Sequence, residues 1–229
     1  MGLERESTNK IYLTTFQGNM VRRVAKGTPD AKTRITKKGD EVYELQFDTL
    51  TGYLDNIRLE DPPEAHPEFG KSWVFSIEDG EELFELRLSA KSREAHAFLV
   101  RLPNMDFSQP VKIKSYWIKG DDDIYRGFLA VHQNGEKVEP YFSKEVPNGL
   151  PDLKKTVVDD VVHWDSSKRR EFLLRMVNEK VLPKIKEQRP LSEAIIEPVM
   201  VDDTDVPDEP PMPTEDDEPV GDVLDSLPF

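Results

Sequence analysis

Several features that define common protein classes are missing from this chain of 229 residues. It has no cysteine, which excludes a disulfide framework, a thiol nucleophile and a thiolate metal site. Its 4 histidines are far apart in sequence and form no metal-binding motif. Phosphate-binding loops, nucleophile elbows and glycine-rich dinucleotide fingerprints are also absent. We therefore expect a protein that is not an enzyme and holds no cofactor or metal.

Long hydrophobic runs are missing as well. No stretch approaches the roughly 18 apolar residues of a membrane helix, and the first residues, Met1 to Glu6, are polar where a signal peptide is apolar. Gly2 follows Met1, but Glu6 stands where the myristoylation pattern needs Ser or Thr. We expect a soluble protein of the cytoplasm with no membrane partner.

Basic residues are missing from the C-terminal end. Of the 45 acidic residues, 12 lie between Glu197 and Phe229, and none of the 31 lysines and arginines does. The remaining 33 acidic and 31 basic residues give residues 1–196 a net charge of −2. Most of the overall net charge of −14 therefore comes from the tail. This negative charge does not exclude a nucleic-acid partner, because the rest of the chain is nearly neutral and its basic residues can gather on one face.

Residues 10 to about 142 predict a succession of short strands separated by turns. The hairpin turn signals are Gln17-Gly18-Asn19, Asp79-Gly80 and Asn134-Gly135. The predicted strands are Lys10–Phe16, Met20–Val24, Glu41–Asp48, Tyr53–Leu59, Ser72–Ile77, Glu82–Leu88, Val111–Lys119, Ile124–Val131 and Lys137–Phe142.

One short helix interrupts the strands. Ser92 is a suitable N-cap, and Pro103 ends the helical pattern. The apolar stripe of this helix consists of Ala95, Phe98, Leu99 and Leu102.

This order of elements predicts the fold class. Hairpin-linked strands, one short helix and then further strands are expected for a mainly β protein with a five-stranded Greek-key barrel of the OB type and extra strands. A β-sandwich has nearly the same strand count, but the position of the helix favours the OB type. We assign residues 1–150 to this barrel.

The pattern changes after Pro151. Asp165 or Ser166 can cap a helix, so residues 151–189 are predicted to form a helical extension packed on the barrel or used in self-association to a homo-oligomer. The apolar face of this helix consists of Phe172, Leu173, Met176, Val177 and Val181. Residues 190–229 are rich in proline and acid, which predicts a disordered acidic linker with a partner-binding tip.

The tip carries apolar residues on an acidic tether. Leu227, Pro228 and Phe229 follow the acids Asp222 and Asp225. A terminal phenylalanine offers an aromatic ring and a carboxylate together, which a partner with an apolar pocket and an arginine can bind. This tip resembles the C-terminal tail of bacterial single-stranded DNA-binding proteins, in which an acidic run ends in an apolar residue, proline and phenylalanine.

The resemblance covers about nine residues and the acidic linker before them. It departs from the family pattern because Ser226 and the single Asp225 precede Leu227, with Val223 and Leu224 interposed. The length and the divergent body are similar to phage-encoded members, which implies the cytoplasm of a bacterium or of a phage-infected host.

The resemblance implies a function in DNA replication, recombination and repair. Such a protein coats and protects single strands and recruits replication and repair proteins through its tail. Phe229 would fill the partner's pocket, Leu227 and Pro228 would add apolar contacts, and Asp222 and Asp225 would meet a basic rim. The charge of the tail also predicts competition with DNA for the basic groove, so that removing the tail would tighten DNA binding, most strongly at low salt.

A groove for single-stranded DNA needs aromatic rings that stack on bases and cations that meet phosphates. Alternation places Lys112, Lys114 and Tyr116 on one face of a strand, opposite Trp117. The most basic loop of the chain lies between residues 26 and 40. The complete set of predicted DNA-binding residues is Lys10, Tyr12, Phe16, Arg22, Arg23, Lys26, Lys32, Arg34, Lys37, Lys38, Lys112, Lys114, Tyr116 and Lys119.

Two other interpretations remain open at this point. In the first, the β domain is an adaptor that binds proteins, and its basic segments point in unrelated directions. In the second, the chain is a metal-dependent nuclease in which Asp121, Asp122 and Asp123 converge with carboxylates such as Asp48 or Glu139.

Overall fold

The computed structural model describes residues 10–36, 39–64, 66–120, 123–158 and 161–189. The chain divides into two units, Met1–Ser192 and Glu193–Phe229, and every described residue belongs to the first. The acidic tail, with its predicted partner-binding residues, lies outside the described residues. Lys37, Lys38, Asp121 and Asp122, which belong to the predicted sites, also lie outside the described residues.

Ten strands form one mixed sheet, which confirms a mainly β fold. Along the chain they are β1 (Lys10–Phe16), β2 (Asn19–Val24), β3 (Lys32–Ile35), β4 (Glu41–Phe47), β5 (Thr49–Glu60), β6 (Ser72–Asp79), β7 (Glu82–Ser89), β8 (Val111–Lys119), β9 (Tyr125–Gln133) and β10 (Glu136–Lys137). Their order in the sheet is β10-β9-β8-β5-β6-β7-β1-β2-β4-β3. β1 pairs with β7 in parallel, and the other ladders of the described sheet are antiparallel.

The sheet curls without closing. β2 contacts β5 and β8, yet no ladder joins them within the described residues, where β3 and β10 remain the two edges. A closed barrel is therefore not observed among the described strands. The curl nevertheless encloses one apolar core, to which β1, β5, β6, β7, β8 and β9 all contribute side chains.

Turn chemistry explains the hairpins. Gln17 and Gly18 both adopt positive φ, 51° and 77°, as do Asn134 and Gly135, 53° and 82°. Two successive residues with positive φ match the right-handed twist of the strands that they join, so both predicted turns are confirmed.

The last predicted strand, Lys137–Phe142, is wrong beyond Lys137. Pro140 cannot donate a ladder hydrogen bond, and the N–H of Tyr141 donates to the carbonyl of Val100, 2.8 Å away. The segment is thus tied to the region of the short helix, and Phe142 enters the core there.

The short helix α1 (Arg93–Leu99) is confirmed. The Oγ of Ser92 accepts a hydrogen bond from the N–H of Ala95 at 3.1 Å, which is the expected capping interaction. Phe98 packs edge-to-face on Phe75, with ring centroids 4.5 Å apart, and both rings are fully buried. This contact attaches the helix to the sheet.

The expected helical extension begins with a β-hairpin, β11 (Lys154–Val158) paired with β12 (Val161–Asp165). β-branched residues dominate these two strands, which favours extended backbone over helix. Helix α2 (Ser167–Met176), a π-helical turn (Val177–Val181) and α3 (Leu182–Gln188) follow. Their buried face joins the core of the sheet. In the described part of the chain, no helix is long and apolar enough to cross a membrane.

Candidate nucleic-acid interface

Six of the predicted DNA-binding residues share one face of the sheet. The registers place Tyr12 beside Glu85, Arg23 beside Glu44, and Glu44 beside Lys32. We call this surface the β1–β4 face; its predicted residues are Lys10, Tyr12, Phe16, Arg23, Lys32 and Arg34.

The cations of the β1–β4 face are largely neutralised. Arg34 donates two hydrogen bonds to Glu44, at 2.5 and 3.0 Å. Lys10 lies 3.6 Å from Glu85 and Arg23 lies 4.0 Å from Glu44. Lys32 is the exception, because the amide oxygen to which it donates is neutral. Both glutamates are only 2% exposed, so their charges stay close to the cations that face them. This surface therefore attracts phosphate less than its basic residues alone would indicate.

The aromatic rings of the β1–β4 face already have cation partners. The guanidinium of Arg34 lies 4.2 Å from the ring centroid of Phe16, and that of Arg87 lies 5.5 Å from that of Tyr12. Such contacts stabilise the rings but occupy faces on which a base would stack.

Glu85 is the centre of an ion-pair network on this face. Its carboxylate lies 2.9 Å from Arg58, 3.7 Å from Arg87 and 3.6 Å from Lys10. Because the carboxylate is buried, removing its charge leaves Lys10 without a described carboxylate partner and leaves Glu60 as the remaining partner of both Arg58 and Arg87.

We expect Glu85→Gln to lower the free energy of unfolding by on the order of 2 kcal/mol, measured by urea denaturation. Glu82→Gln, at an exposed position of the same strand, is the matched control and should change it by less than about 0.5 kcal/mol. Equal effects of the two variants would show that the network does not stabilise the fold.

Two predicted residues lie away from the β1–β4 face. Arg22 pairs in register with Leu45 on the opposite side of the sheet. The Nζ of Lys26 lies 5.8 Å from the ring centroid of Tyr43, and a hydrogen bond with Tyr43 raises the pKa of this lysine above its usual value. The segment predicted as a basic loop contains strand β3, which pairs with β4, so the prediction of a loop throughout is wrong and its cations are divided between two surfaces.

Strand β8 has the alternation that its sequence predicts. Lys112 and Lys114 are exposed, and Ile113 and Ser115 are buried between them. Neither lysine has a carboxylate partner among the described residues. Tyr116 is half-buried and stacks on Phe128, with centroids 6.0 Å apart, so it is a packed residue, unlike the open stacking platform that the sequence predicted.

An exposed pair of aromatic rings on β8 and β9 was not predicted. Trp117 and Tyr125 are 40% and 54% exposed, and their ring centroids are 5.3 Å apart. Trp117 pairs in register with Gly127, which has no side chain, and Lys119 pairs with Tyr125. The two rings and Lys119 therefore share one face of the β8–β9 hairpin.

This hairpin extends beyond the sheet. β5 pairs only with Val111–Lys114 of β8, so the part that carries the aromatic pair has β9 as its sole neighbour in the described sheet. Ile118 and Ile124 are also exposed there. The sequence does contain a feature that indicates this surface. Large apolar residues lie on both sides of an acidic turn, and a strand of the core would not place them next to such a turn.

The turn between β1 and β2 packs against the same hairpin. A Cβ on Gly18 would lie 2.9 Å from the backbone N of Trp117 and 3.2 Å from its Cδ1. The structure thus brings the end of β1 next to the aromatic pair, although three strands separate β1 from β8 in the sheet.

The acidic turn gives no support for a metal site. Asp123 forms an ion pair with Lys119 at 2.6 Å, and Glu139 faces Lys137 at 3.4 Å. Across the described ranges, no three His, Asp or Glu side chains are placed to hold a metal ion.

The burial of His96 on α1 changes its protonation. Burial and the nearby charges of Arg169 and Arg101 lower the pKa of His96 below its usual value. At neutral pH the ring is uncharged in both the folded and the unfolded chain. As the pH falls through about 6.5, His96 gains a proton in the unfolded chain, whereas in the folded chain it gains this proton only at a lower pH.

We therefore expect the free energy of unfolding to decrease between about pH 7 and about pH 5.5, and to decrease less in His96→Gln. Urea denaturation of both proteins at the two pH values measures the difference. An identical pH dependence in His96→Gln would contradict this account.

Comparisons with models of known protein families, with curated proteins and with solved structures gave no match to this chain.

Proposed function

We propose that this protein binds single-stranded DNA without sequence specificity and protects exposed strands during replication, recombination and repair. The observation that carries the proposal is the exposed Trp117–Tyr125 pair with Lys119 on the same face. Stacking of a base on an aromatic ring contributes about 1–3 kcal/mol and is available to every base. An open aromatic pair on a projecting hairpin suits a partner of variable sequence.

The lysine beside the pair is available to phosphate. The ion pair between Lys119 and Asp123 is exposed, with side chains 54% and 84% accessible. Exposed pairs of this kind contribute little to stability, so a phosphate group can replace the carboxylate at low cost. The lysine would then neutralise the backbone of a strand whose bases stack on the rings.

We further propose that five of the strands form an opened OB-type barrel. β9-β8-β5-β6-β7 are consecutive in the sheet, and α1 lies between the third and the fourth of these strands along the chain. Three consecutive strands, a helix and a final hairpin that pairs with the first strand form the Greek-key arrangement expected of a partly open OB barrel. In this assignment the Trp117–Tyr125 pair flanks the last loop of the barrel, one of the two loops with which OB folds bind oligonucleotides.

The acidic tail is proposed to recruit partner proteins. This part of the proposal rests on the charge of the tail and on the resemblance of Leu227, Pro228 and Phe229 to the tails of single-stranded DNA-binding proteins. The same charge would compete electrostatically with DNA for basic surfaces.

Titration of fluorescently labelled oligonucleotides with the full-length protein tests the proposal. Oligo-dT and oligo-dA should bind, and a duplex of the same length should bind much more weakly. Binding should weaken between about 50 mM and about 200 mM salt because counterions are released from the DNA. Failure of both single strands to bind would overturn the proposal and favour the adaptor interpretation.

Lys119 provides a test of the electrostatic contribution because it lies on the same face as the aromatic pair. We expect Lys119→Gln to reduce the slope of log K against log salt by about 1, because one phosphate contact is lost. Lys168→Gln removes the same charge at another exposed position without a described carboxylate partner. A slope lowered equally in both variants would show that only the net charge matters.

A further inference from the structure

A cavity of about 390 Å³ lies between α1, α2 and the adjoining ends of β6 and β7. Three of its lining side chains, Trp73, Leu99 and Leu173, are at most 2% exposed and form an apolar floor. Phe128 of β9 and Leu153 add to the apolar wall. The volume is within the range of about 300–1,000 Å³ that small-molecule sites occupy.

The lining of this cavity carries charge of one sign. Lys91, Arg93, Arg169 and Arg170 line it, and its lining contains no aspartate or glutamate. None of these four cations has a carboxylate within ion-pair distance among the described residues. The cations of the β1–β4 face are in the opposite situation, since Glu44 and Glu85 neutralise them.

Neutral groups hold two of the guanidinium groups in place. Arg169 donates from Nε to the carbonyl of Pro151 at 3.0 Å. Arg170 donates to the hydroxyls of Ser166 and Ser167 at 2.5 and 3.3 Å. These bonds orient the side chains. The nearby carboxylate of Asp165 offsets part of the charge of Arg170, whereas no described carboxylate lies within ion-pair distance of Arg169, so the cavity keeps a positive charge that attracts an anion.

We propose that this cavity binds a nucleoside 5′-phosphate, either as a free nucleotide or as the phosphorylated end of a DNA strand. The apolar floor and Phe128 provide surface for a base. The guanidinium groups bind a phosphate in the bidentate manner that Arg favours. Inorganic phosphate alone would leave the apolar surface unused, whereas a nucleotide uses both parts.

Isothermal titration of the full-length protein with deoxyadenosine monophosphate, deoxyadenosine and inorganic phosphate tests the proposal. The nucleotide should bind at least about tenfold more tightly than either part, because only the nucleotide makes both kinds of contact. Lys91→Gln/Arg93→Gln should weaken nucleotide binding by about tenfold or more. Both positions are exposed and without described ion partners, so the variant is expected to fold. The matched control is Lys168→Gln/Lys186→Gln, which should bind like the wild type.

A second arm distinguishes the source of the phosphate. If strand ends bind here, oligo-dT with a 5′-phosphate should bind more tightly than oligo-dT with a 5′-hydroxyl, and Lys91→Gln/Arg93→Gln should remove the difference. Absence of both nucleotide binding and this preference would overturn the inference. Equal weakening in the control variant would also overturn it.

His96 provides an independent readout because it lines the same cavity. A bound phosphate would offset the field of Arg169 and raise the pKa of His96, which NMR titration of its ring protons measures. An unchanged pKa at saturating nucleotide would count against this site. If oligo-dT with a 5′-hydroxyl still binds while every nucleotide test fails, the inference is wrong and the proposed function stands.

Discussion

Phe98→Ala is expected to lower the free energy of unfolding by about 3–5 kcal/mol. The ring is fully buried and packs edge-to-face on Phe75, with centroids 4.5 Å apart. Truncation removes the apolar transfer energy of the ring, leaves a cavity and breaks an aromatic pair worth about 0.5–1.5 kcal/mol. The helix α1 also depends on this contact for its attachment to the sheet.

Urea denaturation followed by far-ultraviolet circular dichroism measures this loss. Phe47→Ala removes a ring of the same kind that is 41% exposed, and it should cost clearly less than Phe98→Ala. A change below about 1 kcal/mol for Phe98→Ala would contradict the packing described for α1.

Trp117→Ala/Tyr125→Ala is expected to weaken binding of oligo-dT by at least about 30-fold. Two stacked bases contribute at least about 2 kcal/mol, which corresponds to this factor. Both rings are substantially exposed, so their removal should lower the free energy of unfolding by less than Phe98→Ala does; the loss comes from the contact between the rings and from the packing of the β1–β2 turn on Trp117. A loss of binding in a variant that is still folded under the conditions of the assay separates recognition from folding.

The chain offers a matched control for this variant. Trp164 and Tyr141 are also exposed, at 60% and 40%, but they lie outside the β8–β9 hairpin. Trp164→Ala/Tyr141→Ala should bind oligo-dT like the wild type. Similar affinities for the two double variants would place the stacking surface elsewhere on the protein.

Local patterns predicted most of the strands and the helix. Ser92 caps α1, and Gln17-Gly18 and Asn134-Gly135 form hairpin turns, because capping and positive φ depend on a few neighbouring residues. The alternation of β8 likewise placed Lys112 and Lys114 outside the core.

Such local patterns do not predict contacts between residues that are distant in the sequence. The neutralisation of Arg34 by Glu44 depends on the register between β3 and β4, and that of Lys10 by Glu85 depends on the parallel pairing of β1 with β7. Neither register follows from the local sequence. The β1–β4 face is therefore closer to neutral than its lysines and arginines alone would indicate.

The aromatic pair was missed for a related reason. Alternation assigns Trp117 to the face of Ile113 and Ser115. This face is buried along the part of β8 that has β5 as a neighbour in the sheet. The ladder between β5 and β8 includes Lys114 and not Trp117, so the same face of β8 becomes exposed beyond that point. The length of a partner strand decides this exposure, and sequence periodicity does not report it.

The cavity between α1 and α2 was also outside what the sequence could predict. Lys91 and Arg93 are separated from Arg169 and Arg170 by more than seventy residues, and the packing of α2 on the common core brings them together. No local pattern links the two pairs.

The central claim is that bases stack on Trp117, and its fluorescence tests this claim most directly. In full-length Trp164→Phe the remaining tryptophans are Trp117 and the buried Trp73. We predict that saturating oligo-dT quenches the emission of the exposed tryptophan and that the additional Trp117→Phe substitution removes the quenching. Binding of oligo-dT without quenching in Trp164→Phe, or equal quenching after Trp117→Phe, would contradict the account.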